Sequence, residues 1–407
     1  MSHAARLLYV VNESYFFLSH RLQIGLAAQR AGYEVHIAAP ADHVWAPRDF
    51  DGSELTQAGC VLHELPLSRR GQNPLTEART IAALIRLYRS LRPQMVHHMT
   101  IKPVLYGSLA ARITGVPAVA NLITGLGHLF SDESPRSRVL RRFAVQGYRI
   151  AAGHPNSWTT CQNRGDRDRL IAAGALNAAR SSVIRGSGVD LETFSPASPP
   201  EGVPLVVLPA RLLWEKGVGV FVDAARQLQA QGTNARFAIV GDTQPSNPRS
   251  VPETTLRAWH DAGIVEWWGR RDDMPSVFSQ AHIVCLPSVY GEGVPKVLLE
   301  AAAAGRPVVT SDIAGCREVV LDGITGVLAK AGDAQALARA LRRLIEDPDL
   351  RSRMGSAARA LAEAEFAEGM VVAETLAIYR HLRDGSQQDY GRAKPGASPS
   401  EPRSTSS

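Results

Sequence analysis

Two glutamates flank the start of a predicted helix in the segment PSVYGEGVPKVLLEAAAAGRP, residues 287–307. Glu292 lies in a glycine-containing loop after a short apolar run, and Glu300 lies among strong helix formers that follow Pro295. Backbone N–H groups in such a loop, at the positive end of a helix, attract an anion or a hydroxyl-rich ligand. A glycine turn before a helix also occurs without any ligand, so this segment alone leaves a binding role and a purely structural role open.

Two cations follow another apolar run. Arg211 and Lys216 come directly after PLVVLPA, in the segment ARLLWEKGV. Because an arginine can bind two phosphate oxygens at once and a lysine adds a second positive charge, the pair suits a diphosphate. Taken alone, an exposed Arg and Lys at the start of a helix is the simpler interpretation.

The elements that carry these side chains alternate between strands and helices along the chain. Short apolar runs separated by helical segments are typical of parallel α/β sheets, and the pattern restarts after Gly186. The length of 407 residues exceeds one typical core, so two domains are expected. Ligands of open α/β sheets bind at the carboxyl ends of the strands. Two facing sheets would therefore hold their ligands in the cleft between them.

The residues around both glutamates resemble the signature of the retaining GT-B glycosyltransferases of family 4. That signature reads E-G-x-P-x-x-x-x-E, and Glu292, Gly293, Pro295 and Glu300 match it position by position. The resemblance extends over nearly the whole chain except its tail. It implies an α/β protein with the GT-B fold, in which two Rossmann-like parallel-sheet domains face each other across a cleft.

The resemblance also implies how the chain is divided. Residues 1–186 would form an acceptor-binding domain, and residues 187–366 a domain that binds a nucleotide sugar. A last helix at 367–383 would cross back and pack on the first domain. The end of the chain, 385–407, is rich in Ser, Pro and Gly, so it is expected to be a disordered tail without a role in the chemistry.

The donor site follows from the same resemblance. Arg211 and Lys216 match the family's Arg, four residues, Lys pair, which holds the nucleotide diphosphate and offsets the charge of the leaving group. Glu292 would position the transferred sugar and stabilise charge, because its place in the family is not securely that of a nucleophile. Glu300 would bind the ribose hydroxyls. Further donor contacts are expected from Gly293, Val294, Pro295 and, near the base, Gly269.

The acceptor site is expected in the first half, in the stretches NESYFFLSHRL, HHMTIKPVLYGSLAAR and NLITGLGHLF, all at predicted strand ends. These stretches resemble a subgroup that adds N-acetylated hexosamines or related sugars to undecaprenyl-diphosphate-linked saccharides. Arg21 and Lys102 would contact the acceptor diphosphate, and each histidine has packing as its alternative role. The full set of implied acceptor residues is His20, Arg21, Thr100, Lys102, Thr124 and Gly125.

Two departures from the family leave the place of a catalytic histidine open. Many members carry a Gly-Gly pair after the first strand, where this chain has Asn12-Glu13-Ser14. Many also carry a histidine just before the glycine after the fifth strand. Thr124 occupies that place here, and His128 follows a few residues later.

Charge is distributed unevenly along the chain. Residues 1–186 hold 22 Lys and Arg against 12 Asp and Glu, and the remainder holds 23 against 27, so the first half suits an anionic partner. One predicted helix combines apolar residues with five arginines, which is typical of attachment to an anionic membrane surface but also of a solvated helix. A lipid-linked acceptor favours membrane attachment. The protein is then expected to be cytoplasmic and peripheral on the inner face of the membrane. The five are Arg136, Arg138, Arg141, Arg142 and Arg149.

Missing motifs exclude several classes of function. No G-x-G-x-x-G follows the first strand and no G-x-x-x-x-G-K-[ST] occurs, so nicotinamide dehydrogenases and P-loop NTPases lose support. Asp166-Arg167-Asp168 has a spacing that some glycosyltransferases use with metal, but it lies in a basic helical segment and is interpreted as surface charge. No metal and no cofactor are expected, nor is nucleic acid as a partner.

The expected activity is therefore a retaining transfer of a hexose or N-acetylhexosamine from a nucleotide sugar, with UDP as the expected nucleotide. The acceptor would be a lipid-diphosphate-linked saccharide, in the synthesis of a surface polysaccharide or glycan. Two alternatives stay open. One is a GT-B nucleotide-sugar epimerase or phosphorylase, and the other is a non-enzymatic basic adaptor for a membrane or nucleic acid.

Overall fold

The computed structural model describes residues 4–41, 46, 50–68, 73–126, 134–198, 201–244 and 247–385, with the side chains at 135–137 and 139 left out. The expected tail therefore lies outside the described residues apart from Gly385, as do His128 and the side chain of Arg136. Among the described residues, no helix is both long and apolar enough to cross a membrane.

Seven strands form the first sheet: β1 (Ala5–Val10), β2 (Tyr33–Ala39), β3 (Val61–Glu64), β4 (Met95–Met99), β5 (Ala118–Ile123), β6 (Ser157–Cys161) and β7 (Ser181–Val183). They pair in parallel in the order β3-β2-β1-β4-β5-β6-β7. Every residue of β4 and β5 is buried, because helices cover both faces of the sheet. The side chains of these two strands are mostly apolar, and the buried His97, His98 and Asn121 side chains are hydrogen-bonded.

Six strands form the second sheet: β8 (Leu205–Pro209), β9 (Arg236–Val240), β10 (Glu266–Trp267), β11 (Ile283–Leu286), β12 (Val308–Ser311) and β13 (Gly326–Ala329). They are also parallel, in the order β10-β9-β8-β11-β12-β13. This is the strand order of a doubly wound nucleotide-binding sheet. The predicted fold class, two Rossmann-like parallel-sheet domains facing across a cleft, is confirmed.

The helices lie on both faces of the two sheets, and local sequence signals set where several begin. The Asn73 side chain accepts a hydrogen bond from the N–H of Leu75 at 3.0 Å, and Pro74 follows it as the first helical residue. The helices are α1 (Ser14–Arg30), α2 (Ser53–Gln57), α3 (Pro74–Leu91), α4 (Ser108–Thr114), α5 (Pro135–Ala152), α6 (Arg164–Ala172), α7 (Val218–Ala230), α8 (Glu253–Asp261), α9 (Met274–Gln280), α10 (Lys296–Ala303), α11 (Ala314–Arg317), α12 (Ala334–Glu346), α13 (Pro348–Glu365) and α14 (Glu368–Asp384).

The chain passes between the two halves at two segments that are bonded to each other. Val189 N–H donates to the carbonyl of Phe366 at 2.9 Å, and Glu368 N–H donates to the carbonyl of Val189 at 3.0 Å. Gly188 must be glycine here, since an added Cβ would lie 2.6 Å from the Cα of Glu368. The last helix, α14, then packs against α1 and β5 of the first sheet. The limits 1–186 and 187–366 for the two domains stay a prediction.

Candidate active site

A cavity of about 740 Å³ lies between the carboxyl ends of the two sheets. It brings together residues that are far apart in the sequence, as the positions of the strand ends require. Arg21 and Gly269 do not line it. The predicted site residues that do are His20, Thr100, Lys102, Thr124, Gly125, Arg211, Lys216, Glu292, Gly293, Val294, Pro295 and Glu300.

The glycine loop and α10 form one side of the cavity. Strand β11 ends at Leu286, and the chain reaches α10 at Lys296, one residue after Pro295. The fixed φ of Pro295, at −67°, and its extended ψ of 121° turn the chain into the helix. The loop therefore presents Glu292 and Gly293 to the cavity, while Glu300 follows one turn into the helix.

Glu292 is held as an ionised carboxylate. Its Oε1 accepts hydrogen bonds from Lys216 Nζ at 2.6 Å and from Ser288 Oγ at 2.7 Å. Burial acts to raise the pKa of Glu292, but the charge and hydrogen bond of Lys216, the Ser288 hydroxyl and the charge of Arg211 together hold the pKa below its usual range. The side chain is therefore a fixed negative charge at neutral pH.

Glu300 is less exposed than Glu292, and its pKa is shifted in the opposite direction. Its side chain is only 12% exposed, and Lys296 Nζ lies 3.6 Å from its Oε1. Burial raises the pKa of Glu300, and Lys296 opposes this only in part. Sequence reasoning missed Lys296, although its i,i+4 spacing to Glu300 on a helix predicts an ion pair between the two side chains. Lys296 also crosses the cleft, where its Nζ donates to the carbonyl of Ser19 at 2.8 Å.

Gly269 does not line the cavity, but the two residues that follow it do. Its carbonyl accepts a hydrogen bond from Gly241 N–H at 2.8 Å, and its φ of +68° suits glycine at a turn. Arg270 and Arg271, which follow, both line the cavity. Arg270 Nη2 lies 3.1 Å from Asp272 Oδ1, and Arg271 Nη2 lies 2.5 Å from Asp273 Oδ2. Sequence reasoning missed both arginines, since two adjacent Arg residues followed by two Asp residues are typical of any exposed turn.

The two cations expected to bind an acceptor diphosphate are both engaged within the protein. Arg21 is only 2% exposed and donates to the carbonyl of Gly186 at 3.2 Å, behind the cavity wall. Lys102 Nζ donates to Glu77 Oε1 and to the carbonyl of Ser68, both at 2.6 Å. The expectation that these residues contact the acceptor diphosphate therefore has no support in the geometry.

His20 lines the cavity as a neutral side chain. Burial lowers the pKa of His20 to about 3, with further lowering from the positive charges of Lys296, Arg21 and Arg211. Its Nδ1 lies 2.7 Å from Ser19 Oγ, which itself donates to the carbonyl of Tyr15 at 2.7 Å. The ring can therefore accept or donate hydrogen bonds without carrying charge.

The two halves of the molecule touch at a pair of glycine loops. A Cβ added to Gly293 would lie 1.8 Å from the carbonyl oxygen of Thr124 and 2.3 Å from the side-chain amide of Gln162. The Gln162 amide in turn donates to the Thr124 carbonyl at 2.8 Å and accepts from Arg21 at 2.8 Å. Gln162 is a further cavity residue that sequence reasoning missed, because nothing in its local segment marks it.

Two observations bear on metals. Within the described part of the chain, no group of three or more His, Cys, Asp and Glu side chains is placed to hold a metal ion. Asp166 is not surface charge, as the sequence had indicated. It is 6% exposed, accepts from Leu126 N–H at 3.2 Å and is bonded to the Asn163 side chain at the start of α6.

Comparison with known proteins identifies the family. Residues 203–347 match the family described as glycosyl transferases group 1, and residues 6–151 match the family described as glycosyl transferase 4-like. The chain belongs to this glycosyltransferase family, and the predicted membership of family 4 is confirmed. It is an enzyme of the hexosyltransferase class, which removes the support for a non-enzymatic adaptor.

The similar proteins span most of the chain. A protein of Campylobacter jejuni named N,N'-diacetylbacillosaminyl-diphospho-undecaprenol alpha-1,3-N-acetylgalactosaminyltransferase is 26% identical over 349 residues, 83% of this chain and 90% of that protein. A glycogen synthase of Mycobacterium tuberculosis is 31% identical over 311 residues, 75% of this chain and 72% of that protein. The crystal structure of Anabaena HepE in complex with UDP has a TM-score of 0.70 at 21% identity, covering 91% of this chain and 99% of that one. This last likeness shows the shared fold.

Proposed function

We propose that the protein transfers a hexose or N-acetylhexosamine from a UDP sugar to a saccharide carried on a lipid diphosphate, with retention of configuration at the transferred sugar. The observation that carries the proposal is the cavity itself, where Arg211, Lys216, Glu292 and Glu300 meet across from the acceptor stretches of the first half. The Campylobacter jejuni relative's name specifies a diphospho-undecaprenol acceptor, and HepE was crystallised with UDP. The first half would bind the acceptor and the second half the donor.

In this proposal the cations of the second half hold the donor diphosphate. Arg211 and Lys216 stabilise the charge that develops on its oxygens as the bond to the sugar breaks. Glu300 accepts hydrogen bonds from the ribose hydroxyls. The acceptor hydroxyl forms the new bond to the anomeric carbon on the face that the diphosphate leaves, and its proton passes to an oxygen of the leaving diphosphate.

We further propose that transfer needs no metal ion. The proposal rests on the family resemblance and on the positive charge of Arg211, Lys216, Arg270 and Arg271 around the cavity, which can offset the diphosphate charge. Turnover in excess EDTA should equal turnover in added magnesium. A loss of turnover in EDTA that magnesium restores would contradict the proposal.

The membrane proposal concerns the exposed face of α5. Phe143 is 71% exposed and Ile150 is 49% exposed. They lie seven residues apart, which is about two helical turns and places them on one face. Arg142 and Arg149 are exposed beside them. Apolar side chains within a basic helix face are suited to the headgroup region of an anionic bilayer. We propose that this face holds the enzyme on the inner surface of the membrane, where a lipid-linked acceptor would be found.

The test is thermal stabilisation by a panel of nucleotides and nucleotide sugars in EDTA, followed by product analysis. A ligand of the native state raises the melting temperature by mass action, so UDP and one UDP sugar should raise it. The anomeric configuration of the product, read by NMR, should match that of the donor. Folded protein that responds to no nucleotide, or an inverted product, would overturn the proposal. An epimerised free nucleotide sugar would favour the alternative enzyme.

A further inference from the structure

The two walls of the cavity differ in charge. From the second half, the cavity is lined by two carboxylates, Glu292 and Glu300, and by the five cations Arg211, Lys216, Arg270, Arg271 and Lys296, so positive charge is in excess. From the first half, the described lining consists of neutral polar, aromatic and aliphatic groups, apart from Lys102, which is paired with Glu77 at 2.6 Å. A diphosphate therefore finds its charge complement on the second wall, and the first wall offers hydrogen bonds without compensating charge.

Thr100, on the first wall, has a strained backbone. Its φ is +76°, a region that β-branched residues rarely enter and that glycine or asparagine would enter at lower cost. Hydrogen bonds fix this conformation on both sides, since Thr100 N–H donates to the carbonyl of Leu122 at 3.0 Å and its own carbonyl accepts from Val104 N–H at 3.0 Å. The turn explains the φ value but not the choice of threonine, and a strained residue beside a cavity points to a role for its side chain.

The hydroxyl of Thr100 can donate a hydrogen bond. Its Oγ1 is buried and has no hydrogen-bond partner among the described residues, yet the residue lines the cavity. A buried hydroxyl without a partner is costly. Because this oxygen is closed off from solvent, a ligand oxygen would complete it as the Thr100 side chain turns toward the cavity.

The ring of His20 can accept a hydrogen bond. The Ser19 hydroxyl donates to the carbonyl of Tyr15, which can only accept. The tautomer that fits this arrangement has the ring proton of His20 on Nδ1, 2.7 Å from that Oγ. Nε2 is left with a lone pair, so it accepts a hydrogen bond from a ligand but donates none.

We propose that Thr100 and His20 form a subsite for the hydroxyl groups of the acceptor's terminal sugar, and that the acceptor's diphosphate lies outside the cavity. A sugar hydroxyl can accept from Thr100 Oγ1 and donate to His20 Nε2. An ionised phosphate has no proton to give to Nε2, and most of the cations that line the cavity belong to the second half. The inference rests on the proposed function and specifies which part of the acceptor the first wall recognises.

The test uses two probes that separate the parts of the acceptor, with UDP present at saturation to occupy the donor site. Octyl N-acetylglucosaminide and octyl N-acetylgalactosaminide carry a sugar without phosphate, and farnesyl diphosphate carries a diphosphate without sugar. Calorimetry should detect binding of at least one glycoside to the full chain. Farnesyl diphosphate should not compete with it.

Variants then assign the binding to the subsite. Thr100→Val keeps the shape and removes the hydroxyl, so glycoside affinity should fall roughly three- to tenfold, whereas Thr100→Ser should stay near wild type. Thr114→Val is the matched control, because Thr114 bonds only within its own helix, to Ala110 and Ala111. Thr100→Gly should bind glycoside as weakly as Thr100→Val while melting at or above the wild-type temperature.

The outcomes also separate this inference from the proposed function. Wild-type protein that binds no UDP contradicts the proposed function itself. If UDP binds but no glycoside does, if Thr100→Val leaves glycoside affinity unchanged, or if farnesyl diphosphate competes with the glycoside, the sugar subsite is wrong. Glycoside binding that falls in Thr100→Val and returns in Thr100→Ser supports it.

Discussion

Replacing Gly293 by alanine would test whether the two halves must meet closely for transfer. The backbone of Gly293 is not in the left-handed region, so alanine adds no conformational strain of its own. Its Cβ, however, would lie 1.8 Å from the carbonyl oxygen of Thr124 and 2.3 Å from the Gln162 side chain. Both contacts come from the opposite half, and the first is with backbone, which cannot rotate away.

The clash sets the size of the effect. To bring this 1.8 Å contact to the 3.4 Å of ordinary van der Waals contact, the two walls must separate by about 1.6 Å, and a misplacement of only about 1 Å costs on the order of a hundredfold in rate. The groups expected to bind UDP all belong to the second half and move together. UDP affinity should therefore stay within about threefold of wild type, since less than 1 kcal/mol is at stake for contacts that do not change.

Turnover would be measured as UDP release with the donor and acceptor that the panel identifies, and UDP affinity by calorimetry on the same preparations. Gly369→Ala is the matched control, because a Cβ there meets nothing within 4 Å. Wild-type turnover in Gly293→Ala would refute the need for this contact. An equal loss of turnover and UDP affinity would place the glycine requirement on the donor side instead.

Three further changes test individual side chains. Glu300→Ala should weaken UDP binding about tenfold or more, because charge-assisted hydrogen bonds to the ribose are lost; unchanged affinity in calorimetry would contradict its ribose role. Arg211→Ala should lower turnover by roughly two orders of magnitude or more if it stabilises leaving-group charge, and near-normal UDP release would remove it from the site. His20→Gln should lessen the loss of unfolding free energy on acidification. The folded pKa of His20 is about 3, below the ordinary 6.5. Between these two pH values the unfolded chain binds more protons than the folded chain, so stability decreases as the pH is lowered. Urea titrations at pH 8 and pH 4.5 would contradict this if both proteins lost equal stability.

The sequence predicted the parts of the site that local motifs encode. Glu292, Gly293 and Glu300 lie on one loop and helix, so their spacing carried their positions directly. The doubly wound sheets could likewise be predicted, because buried parallel strands are short and mostly apolar. Arg211 and Lys216 could be placed at the same rim because they follow a strand of that sheet.

Pairings between distant segments could not be predicted. Arg21 looked available for a ligand, yet it is buried against Gly186, 165 positions away. Lys102 also looked available, but Glu77, on α3, neutralises it. Lys296 reaches Ser19 across the cleft, over 277 positions. The composition of a segment shows that a cation is present, whereas only the packed structure shows which partner already occupies it.

The state of Glu292 bears on how a retaining transfer could proceed. In a double displacement, Glu292 would have to attack the anomeric carbon as a nucleophile. Its Oε1 is already bonded to Lys216 and Ser288, and the Lys216 and Glu292 side chains are 16% and 18% exposed. Attack would therefore have to use Oε2, and it would turn the carboxylate into a neutral ester, which weakens the charge-assisted hydrogen bond that Oε1 accepts from Lys216. The pairing therefore favours transfer on one face, with Glu292 as the charge that positions Lys216.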